Sequence, residues 1–378
     1  MVTVKKEKIT VGLLFSLPFL AVLSLCYYSS PIISRVVLLA ESFVFFVLLV
    51  TNIKAVTTPV RIVLIASNAL SMTATLILHS GIGCALAFFN IISAMFVFNH
   101  ISLSKEQAKL LHKCTFLLIA VFCISVTIKI SYKSIKFADF IGNSINSNLV
   151  GLIMLAMIFH AINCLHFSRL DKKRKYIAQI LTLGIGFVLI TLSACRSALI
   201  SLFVFAVLFF IFKKPFEYRT YKIIVVFLLL SSLLFTLVYV MLSDVLSDVV
   251  ILNKKLFTGR EIVWRSAFEQ ISEHFVFGNG TDQPLETVGG ATTVSAHNTL
   301  LSLWYTLGII PVLTTVFFFV NKGRSTVKCK SNRFAQFAFI ATLFVCFFES
   351  FYTDAALQTI FILFLISNIR LEENEEQI

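Results

Sequence analysis

The chain has 378 residues, 58% of them hydrophobic and only 13% charged, with a mean hydropathy of +0.92. A soluble domain carries about 25% charged residues and has too little interior for so much apolar surface, which excludes a water-soluble fold. The formal net charge of +13 does not mark a nucleic-acid binder, because most basic residues sit in short links between apolar blocks.

Each apolar block is long enough to cross about 30 Å of hydrocarbon as helix. The blocks lack a one-sided stripe, and Phe runs such as residues 43–46 and 317–319 make them apolar all round, as lipid-facing helices are. An all-α, polytopic integral membrane protein follows, with about twelve transmembrane helices. The predicted spans are 9–27, 31–52, 59–79, 81–99, 114–130, 148–167, 176–193, 197–212, 222–242, 297–320, 334–348 and 354–370. Residues 1–242 thus hold the first nine spans and 297–370 the last three, and 371–378 form an acidic, disordered tail. Val4-Lys5-Lys6-Glu7-Lys8 leads into the first block without a small-residue cleavage site, so that block reads as a span and not a removed signal. The eight Cys are scattered with no CxxC, so neither a disulfide framework nor a zinc site is expected.

Lys and Arg set the orientation. With the N-terminus in the cytoplasm most of them fall inside, including the clusters at 169–175 and 322–333, while the link at 349–354 falls outside and has none. The basic link at 129–136 is the exception. Residues 243–296 form a large outer loop, polar and carrying Gly278, Gly280, Gly289 and Gly290. Inside it, Thr258-Gly259-Arg260-Glu261 reads as a capping box opening a short amphipathic helix near 259–274. Val263, Ala267, Phe268, Ile271 and Phe275 give that helix one apolar face.

Basic residues on the outer side are few, and two could serve chemistry. Arg196, in Ser193-Ala194-Cys195-Arg196-Ser197, stands at the outer end of an apolar block, and Arg260 in the first turn of the loop helix. Two guanidinium groups beside a helix N-terminus can clamp a diphosphate. Equally, Arg196 can snorkel to the interface and Arg260 can be a surface charge. Arg265 ranks lower, because Glu261 precedes it by the favoured ion-pair spacing. His297, at the outer start of the tenth span, can take a proton near neutral pH or simply line the interface. Asn298 and Trp304, just beyond it in sequence, read as packing or as part of an aromatic belt. Glu41, inside the second span, is either a functional carboxylate or a hydrogen-bonded helix contact. His79, His100, His112, His160 and His166 form no cluster with carboxylates, so no metal and no other cofactor are expected.

Four features together resemble the bacterial O-antigen ligase and polymerase superfamily. They are the Arg in Ser193-Ala194-Cys195-Arg196-Ser197; Thr258-Gly259-Arg260 with Trp264 and Phe277-Gly278-Asn279-Gly280; Ala296-His297-Asn298-Thr299-Leu300 followed by Gly308; and a large outer loop between the ninth and tenth spans. The motifs cover about residues 190–310. The resemblance implies an inverting, metal-independent glycosyltransferase of the integral-membrane (GT-C-like) class, in the bacterial inner membrane with its active site facing the periplasm. It implies transfer of a glycan from undecaprenyl diphosphate to the lipid A–core oligosaccharide during lipopolysaccharide biosynthesis, within surrounding membrane lipid. Arg196 and Arg260 would take the diphosphate and His297 the acceptor hydroxyl, with Arg265, Trp264 and Asn298 as further substrate-binding residues. Two other functions stay open: a polymerase using the same donor, and a transporter of lipid-linked sugar. A transporter should show two related halves with paired broken helices, and no internal repeat is visible.

Overall fold

A computed structural model describes residues 2–27, 30–52, 57–77, 82–131, 134–138, 144–242, 250–251, 254–255, 259–280, 284–287, 292–293, 295–326, 333–351 and 355–371. Among them the fold is all-helical, with fourteen helices, and is that of a polytopic membrane protein. Nine helices precede the large loop: α1 (Val2–Cys26), α2 (Pro31–Asn52), α3 (Thr58–Ile77), α4 (Ile82–His100), α5 (Lys105–Ser125), α6 (Ser147–His166), α7 (Lys172–Ser193), α8 (Arg196–Ile211) and α9 (Tyr218–Met241). The loop contributes α10 (Arg260–Glu273), and after it come α11 (Thr299–Leu307), α12 (Ile309–Thr326), α13 (Arg333–Val345) and α14 (Ala355–Ser367).

Six helices, α1, α2, α5, α6, α7 and α9, are long and apolar enough to cross a membrane. The other predicted spans fall on shorter apolar helices in α3, α4, α8, α12, α13 and α14. Helix α6 is the hub of the bundle and packs on α5, α7, α8 and α14. Phe88, Phe96, Phe98, Phe159, Phe205 and Phe209 are fully buried between helices. Phe43, Phe46, Val121, Ile124, Phe203, Phe227 and Leu230 point outward, an apolar belt that water would not tolerate and lipid would.

The structure moves two predicted spans. The fifth begins earlier, at Lys105, because Ser104 and Gln107 form a capping box, each side chain bonded to the other's backbone N–H. It also ends earlier, because Thr127–Ser131 pairs as a strand with Ser134–Ala138. The tenth is divided at Gly308 into α11 and α12. Thr258, Gly289, Gly290, His79 and the acidic tail lie outside the described residues. Glu41 is a buried contact between α2 and α14, accepting from Gln358 Nε2 at 3.2 Å and Thr359 Oγ1 at 3.4 Å.

Candidate functional site

Three helix starts carry the site residues. Arg196 is the first residue of α8, Arg260 the first of α10, and Asn298 caps α11 directly after His297. Each start follows or includes a left-handed residue: Ala194 (φ 52°), Gly259 (φ 85°) and His297 (φ 48°). Among the described residues Ala194 and His297 are the only non-glycine positions with positive φ. An alanine or histidine there costs about 1–2 kcal/mol and persists only where surrounding contacts fix it. Both sit in the segments that carry candidate chemistry.

Those contacts are identifiable. The corner before Arg196 is pressed against α6 at Gly151, where any side chain would run into Cys195 Cβ. Ser193 Oγ accepts from Cys195 N at 3.3 Å and closes the corner. The segment holding His297 is tied down on every side. Trp264 Nε1 donates to the Ala296 carbonyl at 2.6 Å, and Ala296 N donates to Ser302 Oγ at 2.9 Å. Asn298 accepts from Leu301 N at 3.0 Å and donates to Ser232 Oγ at 2.8 Å. Thr299 donates from its N–H to the Cys346 carbonyl at 2.8 Å and from Oγ1 to the Glu349 carbonyl at 2.7 Å.

The turn after α13 is therefore part of the site. Arg260 Nη1 donates to the Phe348 carbonyl at 2.8 Å, and Nη2 lies 3.8 Å from Glu349 Oε1. Both side chains are largely buried, so this pair is screened far less than a surface one. Arg196 and His297 each lie within electrostatic range of Arg260, and Glu349 within range of Cys195. Arg196, Arg260 and His297 are thus brought together, with Glu349 among them. Burial first, and the Arg260 charge second, push the His297 imidazole down to about 4 from its ordinary 6.5, so at neutral pH the ring is uncharged and has a nitrogen free to accept a proton.

The remaining expected site residues are placed differently. Trp264 and Asn298 are fully buried with their polar groups bonded inside the protein, which makes them braces for His297 and not surfaces for a ligand. Trp264 also packs edge-on against Phe235 and Tyr239 and so docks α10 onto α9. Arg265 is on the exposed side of α10. Glu349 carries no local motif, and its one sequence signal is position: a carboxylate in a link without Lys or Arg. Among the described residues no three His, Cys, Asp or Glu side chains gather as a metal site.

Residues 277–280 explain the break at Gly308. Asn279 N donates to the Tyr305 carbonyl at 2.7 Å and Gly280 N to the Thr306 carbonyl at 3.1 Å, so the loop satisfies carbonyls that the interrupted helix leaves free. Gly278 and Gly308 pack backbone to backbone: a Cβ on Gly278 would lie 2.7 Å from Leu307 N, and one on Gly308 would strike the Val276 carbonyl. Gly308 also has φ 85° with ψ −175°, a conformation that is essentially glycine's alone, so Gly308→Ala adds about 1–3 kcal/mol of strain to a clash that neither backbone can relieve. The expected result is a clear drop in melting temperature of the detergent-purified protein. An unchanged melting temperature would mean that the loop does not dock there.

Residues 181–316 match the protein-family model described as O-Antigen ligase. No curated protein matches the chain. The matched stretch contains Arg196, Arg260 and His297 with the helices that carry them, so the chain carries an O-antigen ligase family domain, which supports the O-antigen ligase and polymerase superfamily.

Proposed function

We propose that the chain is an O-antigen ligase, moving a glycan from undecaprenyl diphosphate to a sugar of the lipid A–core at the periplasmic face of the inner membrane. One observation carries the reading: Arg196 and Arg260 open two helices that meet beside His297. Two guanidinium groups at helix N-termini suit a diphosphate and do not suit a neutral sugar. The acceptor hydroxyl oxygen attacks the anomeric carbon from the face opposite the diphosphate. The bond from that carbon to the diphosphate oxygen breaks, its electron pair leaves with undecaprenyl diphosphate, and the anomeric centre inverts. His297 takes the hydroxyl proton. Arg196 and Arg260 hold the charge that develops on the leaving group, and Glu349 aims the Arg260 fork before the donor arrives.

The lipopolysaccharide of a deletion strain tests this on a gel. A core without glycan, with lipid-linked polymer accumulating, is the expected pattern. A core bearing one repeat unit would instead identify a polymerase.

In this reading the arginines replace a metal. Purified protein with lipid-linked donor is expected to keep its rate in EDTA, and a loss reversed by Mg²⁺ or Mn²⁺ would sink the assignment. Orientation follows from the Lys and Arg distribution. A phosphatase fused after residue 285 is expected to be active and a fluorescent protein at the same point dark. The opposite pattern reverses the topology.

A further inference from the structure

The helices that carry the site are short. α8 has 16 residues and α13 has 13, which as helix span about 24 Å and about 20 Å. On α12, the stretch from Ile309 to Lys322 also rises only about 20 Å. All three have one end on the same basic side: α8 finishes there, beside Lys213, the α12 stretch finishes there at Lys322, and α13 starts there at Arg333. Arg333, at the start of α13, donates to the Phe212 and Lys213 carbonyls at the end of α8, at 3.3 and 3.2 Å. The neighbouring α7 and α9, with 22 and 24 residues, reach about 33–36 Å and cross the core completely. With the basic end at one membrane surface, the far ends of α8, α12 and α13 stop about 5–10 Å short of the other, and tilt only increases the shortfall.

The turn after α10 lies at that level. Phe275, Val276 and Phe277 are 49%, 44% and 51% exposed, three large apolar side chains in a row on a polar loop. The Phe275 carbonyl accepts from Ile309 N at 3.2 Å and from Trp304 Nε1 at 3.2 Å, which fastens the turn to the head of α12. Trp304 lies edge-on to Phe275 with ring centroids 5.0 Å apart. Just below, Ile310 and Leu313 of α12 point outward as part of the lipid-facing belt. The turn therefore continues an apolar surface that already faces lipid.

We propose that Phe275, Val276 and Phe277, with Trp304, are seated among the acyl chains of the leaflet on the site's side of the membrane, so that the charged site is sunk below the membrane surface. A lipid-borne anion would then meet Arg260 without leaving its leaflet.

Tryptophan fluorescence tests the placement independently of any glycan transfer. The chain has two Trp, and Trp264 is fully buried. The full-length Trp264→Phe protein in phosphatidylcholine vesicles emits from Trp304 alone. Acyl-chain-brominated phosphatidylcholine is expected to quench most of that emission, and aqueous iodide very little. Phe277→Trp, which keeps Trp264, adds an emitter on the turn with the same expected response and carries the test alone if Trp264→Phe does not fold. Iodide quenching near that of free indole, or emission insensitive to bromine, would overturn the proposal.

Discussion

Arg260→Lys and Arg196→Lys are each expected to cost about 10²–10³ in glycan transfer at unchanged membrane levels, while Arg265→Lys keeps most of it. The difference rests on geometry and not on charge. Arg260 uses its two terminal nitrogens in different directions, one on the Phe348 carbonyl at 2.8 Å and one toward Glu349 at 3.8 Å. An ammonium is a point charge without that planar fork, so it cannot be aimed by two groups at once and then offered to two phosphate oxygens. Arg196 sits on a corner that Gly151 holds in place, so a shorter reach or a different donor pattern cannot be compensated by backbone movement. Arg265 is exposed and stands one turn after Glu261, where Lys serves as well. Levels in the membrane are read alongside transfer, since loss of folding would imitate loss of the clamp. Full activity in both Lys variants at normal levels would reduce Arg196 and Arg260 to interfacial anchors.

The apolar blocks were legible because a membrane span is written continuously along the chain: nothing distant is needed to read residues 31–52 or 222–242 as helix. What the chain hides is what depends on distant partners. Gly308 lies inside an apolar run that a helix tolerates, and the interruption there is stabilised by distant backbone groups, the N–H groups of Asn279 and Gly280 and the Phe275 carbonyl. The left-handed backbone at Ala194 and His297 has no local signal, since neither residue type favours it as Gly259 does. At the site, residue type announced the arginines and His297, but burial decided what their neighbours do. The resemblance offers Trp264 and Asn298 as substrate-binding residues, and the structure spends their polar groups on backbone and side-chain partners inside the protein. Glu349 was legible only as a carboxylate in a link without Lys or Arg; that it meets Arg260 depends on the turn after α13 lying beside the start of α10, across a separation in sequence that no motif spans.

His297→Asn is expected to lower transfer by about 10²–10⁴ while donor lipid still binds, because the imidazole serves the acceptor and not the diphosphate. Asparagine is the informative replacement. It tolerates the left-handed backbone at φ 48°, so the Ala296 and Asn298 contacts on either side survive. If His297 mattered only for shape, the Asn variant would work. The pH profile separates the roles further. In the free enzyme the imidazole is held down to about 4, first by burial and then by the charge of Arg260. A base with a depressed value keeps its lone pair as pH falls through 6.5 and loses it only near about 4. Transfer per unit of free donor, kcat/KM, should therefore stay level through pH 6 and fall only in the region of the depressed value. Bound diphosphate places negative charge beside Arg260 and removes that part of the repulsion, so protonation of His297 becomes easier in the complex. The acid limb of kcat at saturating donor should then lie at higher pH than that of kcat/KM. Donor binding thereby turns a weak base into a stronger one at the moment the acceptor proton must be taken. Coincident acid limbs would show that the imidazole does not feel the diphosphate, and His297 could not then be the proton acceptor beside an Arg260-bound leaving group.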